Sequence, residues 1–251
     1  MNKRNSTLAS FCNVSALLLI GCSVSSLLLS GCSEDGFEAY EDPGTLSVTT
    51  NPGVISQKNF SLLASDWAPQ VIQDDGSFLK TDIDLTVFIG DRNNQTVTDG
   101  QTVTFVSEYG LINPPTCETD ETGTCSVTWS AIKGDTVPGD FLVTVTAYAE
   151  GEETFFDTNG NGLFDDGDAG FEDLEEPYVD ANGDDIFSAG DTIIDVVSTN
   201  DPSGVNGQHD MADGFFNGTG CTHSTLCGVR SSIVVWDDIV LKIDGPAETT
   251  P

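Results

Sequence analysis

The chain has 251 residues, and 41 acidic against 8 basic side chains leave a formal net charge of −33. A surface this acidic repels nucleic acid and anionic lipid headgroups and attracts cations, which excludes nucleic-acid partners and leaves a covalent anchor as the route to a membrane. Its length suffices for one good core or two small ones.

Met1 to Gly31 opens with Lys3 and Arg4, carries no other charge and is dominated by Leu, Ser, Val and Ala. This is the pattern of a secretory signal, short and serine-rich for a permanent span, with an uncleaved anchor helix as the alternative. It ends in Leu29-Ser30-Gly31-Cys32, which resembles the lipobox of bacterial lipoproteins. The resemblance implies that Cys32 is lipidated and becomes the first mature residue. Leu19-Ile20-Gly21-Cys22 is a second candidate, but its use would leave Leu27-Leu28-Leu29 on the mature chain, whereas Ser33-Glu34-Asp35 turns acidic directly after Cys32. Serine after the cysteine points, by resemblance to sorting in enteric bacteria, to an outer-membrane lipoprotein facing the periplasm or the outside. Residues 32–44 then form an acidic tether without apolar periodicity.

From about Thr45 the pattern changes. Ile83, Leu85, Val87 and Ile89 alternate with Asp84, Thr86 and Phe88, and Val103 and Phe105 with Thr102 and Thr104. Cys125, Val127 and Trp129 alternate with Thr124, Ser126 and Thr128, and Phe141, Val143, Val145 and Ala147 with Leu142, Thr144, Thr146 and Tyr148. Period-two runs of β-branched and aromatic residues, cut by Gly, Asn, Asp and Pro, predict half-buried antiparallel strands. No mature stretch has the period of a long amphipathic helix, so the fold class is all-β. Four mature cysteines remain beyond the anchor, and in an exported protein they pair as disulfides. Of three pairings the local one, Cys117–Cys125 with Cys221–Cys227, is preferred, because each pair brackets a short turn-rich segment; neither spacing is the C-x2-C of a zinc site.

Gly100, Val103 and Phe105 in "DGQTVTFVSEYG", then Thr119, Gly123 and Val127 in "TCETDETGTCSVTWS", then Val143, Thr144, Val145 and Ala147 in "GDFLVTVTAYAEGEE" form a series. It resembles the bacterial immunoglobulin-like domains of invasin- and intimin-type adhesins, where a G-x-x-V-x-F strand precedes a T-x-x-x-G-x-x-x-V hairpin and a V-T-V-x-A strand. The resemblance covers residues 45–150 and implies an immunoglobulin-like β-sandwich. It marks a fold, not an activity. The departures are the cysteine pair across the hairpin and the stretch beyond Glu150. The next strongly apolar run is Ile233 to Ile243. We read residues 230–243 as the closing strand, displaced by an insertion over 151–229, with a separate C-terminal domain as the alternative and 244–251 as a flexible tail. Long insertions in surface connections cost little closure entropy.

The insertion repeats itself. "EETFFDTNGNGLFDDGD" from Glu152 and "EEPYVDANGDDIFSAGD" from Glu175 agree at eight of seventeen positions, 23 residues apart. Oxygen-bearing side chains fall at positions 1, 3, 5, 9 and 12 of a loop, as Asp157, Asn159, Asn161, Asp165 and Asp168, then Asp180, Asn182, Asp184, Ser188 and Asp191. Leu163 and Ile186 at position 7 offer a backbone carbonyl. This is the pattern of an EF-hand calcium loop, in which one ion takes six to eight hard oxygens. Gly162 suits the turn at position 6, and Asp185 tolerates it. Between Lys133 and Arg230 the chain has no Lys or Arg to balance the charge. Two calcium ions are therefore expected. Asp at position 12, and only eleven residues with Pro177 between the loops, make them resemble dockerin-type loops rather than a helix-flanked sensor. Glu153 and Glu176 are either further ligands or solvated acids.

His209 and His223 with Asp210 and Asp213 could form a different metal site; polar loop histidines beside a disulfide are the preferred reading. No G-x-S-x-G, H-E-x-x-H or Cys/His dyad is present, and no carboxylate pair stands out, so an enzyme is not expected. The expectation is a lipid-anchored, calcium-stabilised immunoglobulin-like module in adhesion or scaffolding, with an envelope or surface protein or glycan as partner. The alternative is a carbohydrate-processing or hydrolytic accessory protein, which an exposed cluster of Phe155, Phe156, Phe215 and Phe216 would favour.

Overall fold

The computed structural model describes residues 53–97, 100–196 and 205–243. The signal segment, both lipobox cysteines, the tether and the 244–251 tail lie outside the described residues. Eleven strands occur in chain order: β1 (Ile55–Ser56), β2 (Phe60–Ala64), β3 (Asp82–Ile89), β4 (Thr102–Ser107), β5 (Leu111–Asn113), β6 (Thr116–Glu118), β7 (Thr124–Ser130), β8 (Leu142–Glu152), β9 (Tyr178–Val179), β10 (Thr192–Ile193) and β11 (Ile233–Lys242). One short 3-10 turn at Gln57–Asn59 is the only helical element among the described residues, and no helix is long and apolar enough to cross a membrane. The fold is all-β.

Two sheets share one hydrophobic core. In the first, the order is β2-β3-β7-β5, all antiparallel. In the second, β8 is central. β4 pairs with Val145–Tyr148, β1 continues in parallel at Gly151–Glu152, and β6 extends the sheet beyond β4. β11 takes the other side of β8 in antiparallel register from Ile233↔Gly151 to Lys242↔Leu142. The chain therefore leaves this ladder after Glu152 and rejoins it, at the same end, at Ile233.

Burial agrees with the sequence pattern in β3, where Ile83, Leu85, Val87 and Ile89 all face the core. In β8 it does not. Val143, Val145, Ala147 and Ala149 enter the core, yet Thr144 and Thr146 on the opposite face are buried too. Residues 178–180 cover them: the Thr144 hydroxyl donates to the Asp180 carbonyl at 2.6 Å and that of Thr146 to the Tyr178 carbonyl at 2.9 Å. Trp129 is fully buried, and its indole N–H donates to the Tyr109 carbonyl at 2.8 Å, so the core gains a large apolar body without an unmet donor.

The disulfides are Cys117–Cys125 and Cys221–Cys227. The first corrects one expectation. β6 and β7 are not the two arms of a hairpin: β6 pairs with β4 and β7 with β3, so the bond staples one sheet to the other.

Candidate metal centre

The two aspartate loops fold alike. Asp157 at position 1 accepts the N–H groups of Gly160 and Asn161 on Oδ1 and of Gly162 on Oδ2. Asp180 does the same for Gly183, Asp184 and Asp185. Position 12 closes each loop. Asp168 accepts from Thr158 and Asp165, and Asp191 from Ala181 and Ser188. The backbone at position 6 is left-handed in both, with φ 74° at Gly162 and 59° at Asp185, a conformation Asp tolerates better than most side chains.

Their interiors differ. In the second loop Asp180, Asp184 and Asp191 each bring an oxygen within 4.8 Å of the other two. Two carboxylates about 5 Å apart repel by roughly 3 kcal/mol at an effective dielectric of 20. Oxygens bound to one calcium at about 2.3–2.6 Å lie at most about 5 Å apart, so the donor set and its spread fit that ion. Asn182 turns its amide nitrogen to the Ser188 hydroxyl at 2.7 Å, and the Ile186 side chain points to solvent, leaving only its backbone for an inner role. In the first loop the amide nitrogens of Asn159 and Asn161 donate to Asp165 at 3.0 and 2.6 Å. Partial positive charge thus already stands against one carboxylate there, and the Gly167 N–H and the Asn161 amide hold the Asp165 carboxyl below the usual range.

Glu153 and Glu176 are not solvated acids. They are 1% and 4% exposed. Glu153 accepts the Leu174 N–H on one oxygen and the Asn217 N–H on the other, while its own N–H donates to the Asn217 carbonyl. Glu176 repeats this with Val196 and Asp210. Each glutamate thus bridges its loop to a later segment of chain. Burial pushes the Glu153 carboxyl up to about 8, against the partial offset of those N–H groups, with Asp173 and Asp213 adding repulsion. Glu176 is raised for the same first cause.

The later segments themselves repeat, at a spacing of seven. Asp173 accepts the Gly214 N–H, and Asp195 that of Gly207. The Asp213 side chain accepts from Phe215, and Asn206 from Gln208. Residues 213–217 complete the first repeat and 206–210 the second. The aromatic cores match as well. Phe216 lies 5.0 Å from Phe164 and edge-on to Phe155, while His209 stacks on Phe187 at 4.0 Å and meets Tyr178 edge-on. The sequence carries a signal for this, D/N-G-x-aromatic-D/N in "NGQHD" and "DGFFN", but it is short and degenerate.

The histidines are consequently apart. His209 belongs to the second repeat, with Nε2 2.8 Å from the Glu176 carbonyl; His223 stacks on Phe164 in the first and accepts the Thr225 and Leu226 N–H groups on Nδ1. They form no joint metal site. Nor do the four phenylalanines form an exposed cluster: Phe216 is fully buried, Phe155 half-buried, and only Phe156 and Phe215 are exposed.

A cation does reach the insertion, from the core. Arg92, in the connection after β3, makes a two-pronged pair with Glu152 and also donates to the Gly162 carbonyl and to Thr219. Its guanidinium lies 5.0 Å over the Phe155 ring. No sequence spacing announces this contact. Compared with known proteins, the chain matches no family model, no curated protein and no solved structure.

Proposed function

We propose that the chain is a lipid-anchored module of the bacterial outer membrane, immunoglobulin-like in fold, whose acidic insertion is held by two calcium ions, and that it works in adhesion or scaffolding rather than catalysis. The observation that carries the calcium reading is the second loop, where three carboxylate oxygens sit within 4.8 Å of one another. The duplicate backbone cradle round Asp157 and Asp180 supports the same reading for the first loop. Asp157, Asn159, Asn161, Leu163, Asp165 and Asp168 would hold one ion, and Asp180, Asn182, Asp184, Ile186, Ser188 and Asp191 the other. Calcium would supply charge neutralisation there and no chemistry. The immunoglobulin-like reading is supported by two sheets on one core with Trp129 at its centre, and the anchor by the Leu29–Cys32 sequence. An envelope or surface protein or glycan would be the partner.

Calorimetric titration of the full chain tests this. Binding is expected near 10⁻⁴ to 10⁻³ M, because Asp at position 12 reaches less far than Glu. Asp180→Ala, which deletes the position-1 carboxylate, should remove the second site and leave the first. Absence of calcium heat at millimolar concentration refutes the reading.

A further inference from the structure

On the outer face of the β2-β3-β7-β5 sheet, Phe88 is 45% exposed, flanked across the register by Ser61 and Thr124. One row on, Thr86 and Ser126 hydrogen-bond each other at 2.8 Å. A cavity of about 270 Å³ opens beside the ring, lined further by Lys58, Asn59, Asn94, Gln95 and Thr96. Its lining contains no Asp or Glu, in a chain with 41 of them. The cavities beside the first loop, beside Ser231 and beside Gln70 each include at least one carboxylate.

The backbone of the 91–95 turn beside this groove is held in place before any ligand arrives. Asp91 is 2% exposed, and its Oδ1 accepts the N–H groups of Asn93 and Gln95, both at 2.8 Å. Asn94 is fixed in the left-handed region at φ 59°. The Lys58 amine, the Ser61 and Thr96 hydroxyls and the Asn94 amide have no partner among the described residues. A pre-set loop lowers the ordering cost of binding. An exposed ring beside amide and hydroxyl groups and a single ammonium, that of Lys58, matches a ligand with an apolar ring face and a rim of hydroxyls, each of which accepts from the ammonium as readily as from the amide. The net charge of −33 disfavours an anionic polymer, and Phe88 with Leu63 is too small an apolar area for a stable protein interface.

We propose that this groove binds one or two units of a neutral saccharide, the sugar ring stacking on Phe88 and its hydroxyls bonding to Asn94, Ser61 and Lys58. The proposal gives the adhesion reading a glycan and does not depend on calcium. The test is NMR of the isotope-labelled full chain titrated with cellohexaose, maltohexaose, mannohexaose and chitohexaose at millimolar concentration, with and without a chelator. At least one should shift the amides of Ser61, Phe88 and residues 94–96, equally in both conditions. Phe88→Ala should weaken binding about tenfold or more. Asn94→Gly keeps the left-handed backbone and removes the amide, so it should retain the fold by circular dichroism and lose affinity as well. Shifts with none of the four, shifts elsewhere on the chain, or binding that survives both substitutions would overturn the proposal. So would binding of oligogalacturonate alone. Loss of binding on chelation would show that the sugar belongs to the insertion instead.

Discussion

Arg92→Met removes the one cation that, among the described residues, ties the insertion to the core, while keeping most of the side chain's bulk. The wild-type pair is well shielded: the Arg92 side chain is 14% exposed and that of Glu152 2%. Substitution deletes both bonds to Glu152, one to the Gly162 carbonyl and two to Thr219. Glu152 keeps only the N–H and hydroxyl of Thr219, at 3.0 and 2.8 Å. Leaving a buried charge without its partner typically costs about 3–5 kcal/mol, a large part of the roughly 5–15 kcal/mol that holds a domain together. The assay is urea unfolding monitored by tryptophan fluorescence. Trp236 lies 5.4 Å from Tyr178 and reports on the insertion, whereas Trp129 reports on the core. The early, Trp236-linked change should move to lower urea. Arg92→Met with Glu152→Met replaces both partners by apolar groups and should recover most of the loss. A single-variant cost under about 1 kcal/mol, or a double variant no better than the single one, would refute the buried-pair reasoning.

Glu153 should make stability fall as pH rises. Its carboxyl titrates near 8 in the fold and near the ordinary 4.5 when unfolded, so between those values the folded state holds a proton that the unfolded state has lost. The slope approaches about 1.4 kcal/mol per pH unit for one such group. Glu153→Gln should flatten the Tm against pH above 6; Asp238, raised to about 6 by burial, acts in the same direction below that. Cys221→Ser with Cys227→Ser opens a loop of sequence separation 6 and should cost about 2–3 kcal/mol in denaturant unfolding, since small loops confer little chain-entropy gain. His209→Phe installs in the second repeat the ring type that the first holds in Phe216, so it should cost about 1 kcal/mol for the lost bond to the Glu176 carbonyl, against about 3 kcal/mol or more for His209→Ala. Equal losses for the two would show that the half-sites are not equivalent.

The features legible in the sequence were local. Alternation marked β3 and β7 because each faces the core on one side only. It understated β8, whose outer threonines look solvent-facing until residues 178–180 cover them. The 23-residue repeat showed both loops, because each is built from side chains and backbone groups within twelve residues. The glutamates at Glu153 and Glu176 were visible as a repeated pair, but their purpose was not: acids in an acidic stretch look solvated, and burial is decided by segments that arrive 34 or 64 residues later. Arg92 was hidden for the same reason, lying 60 residues from Glu152.

The order of those late segments bears on how the insertion forms. The chain lays down the first repeat, then the second, then the piece that completes the second (206–210), and last the piece that completes the first (213–217). The second repeat can therefore close over a short loop, while the first must wait for the chain to return past it. Closure entropy grows only slowly with length, so the nesting costs little at equilibrium, but long-range contacts form late. The first repeat is also the one that Arg92 and the Cys221–Cys227 bond reinforce, the latter beside the pairing of Cys221 with Phe164. The extra fastenings lie on the half that the chain order leaves open longest.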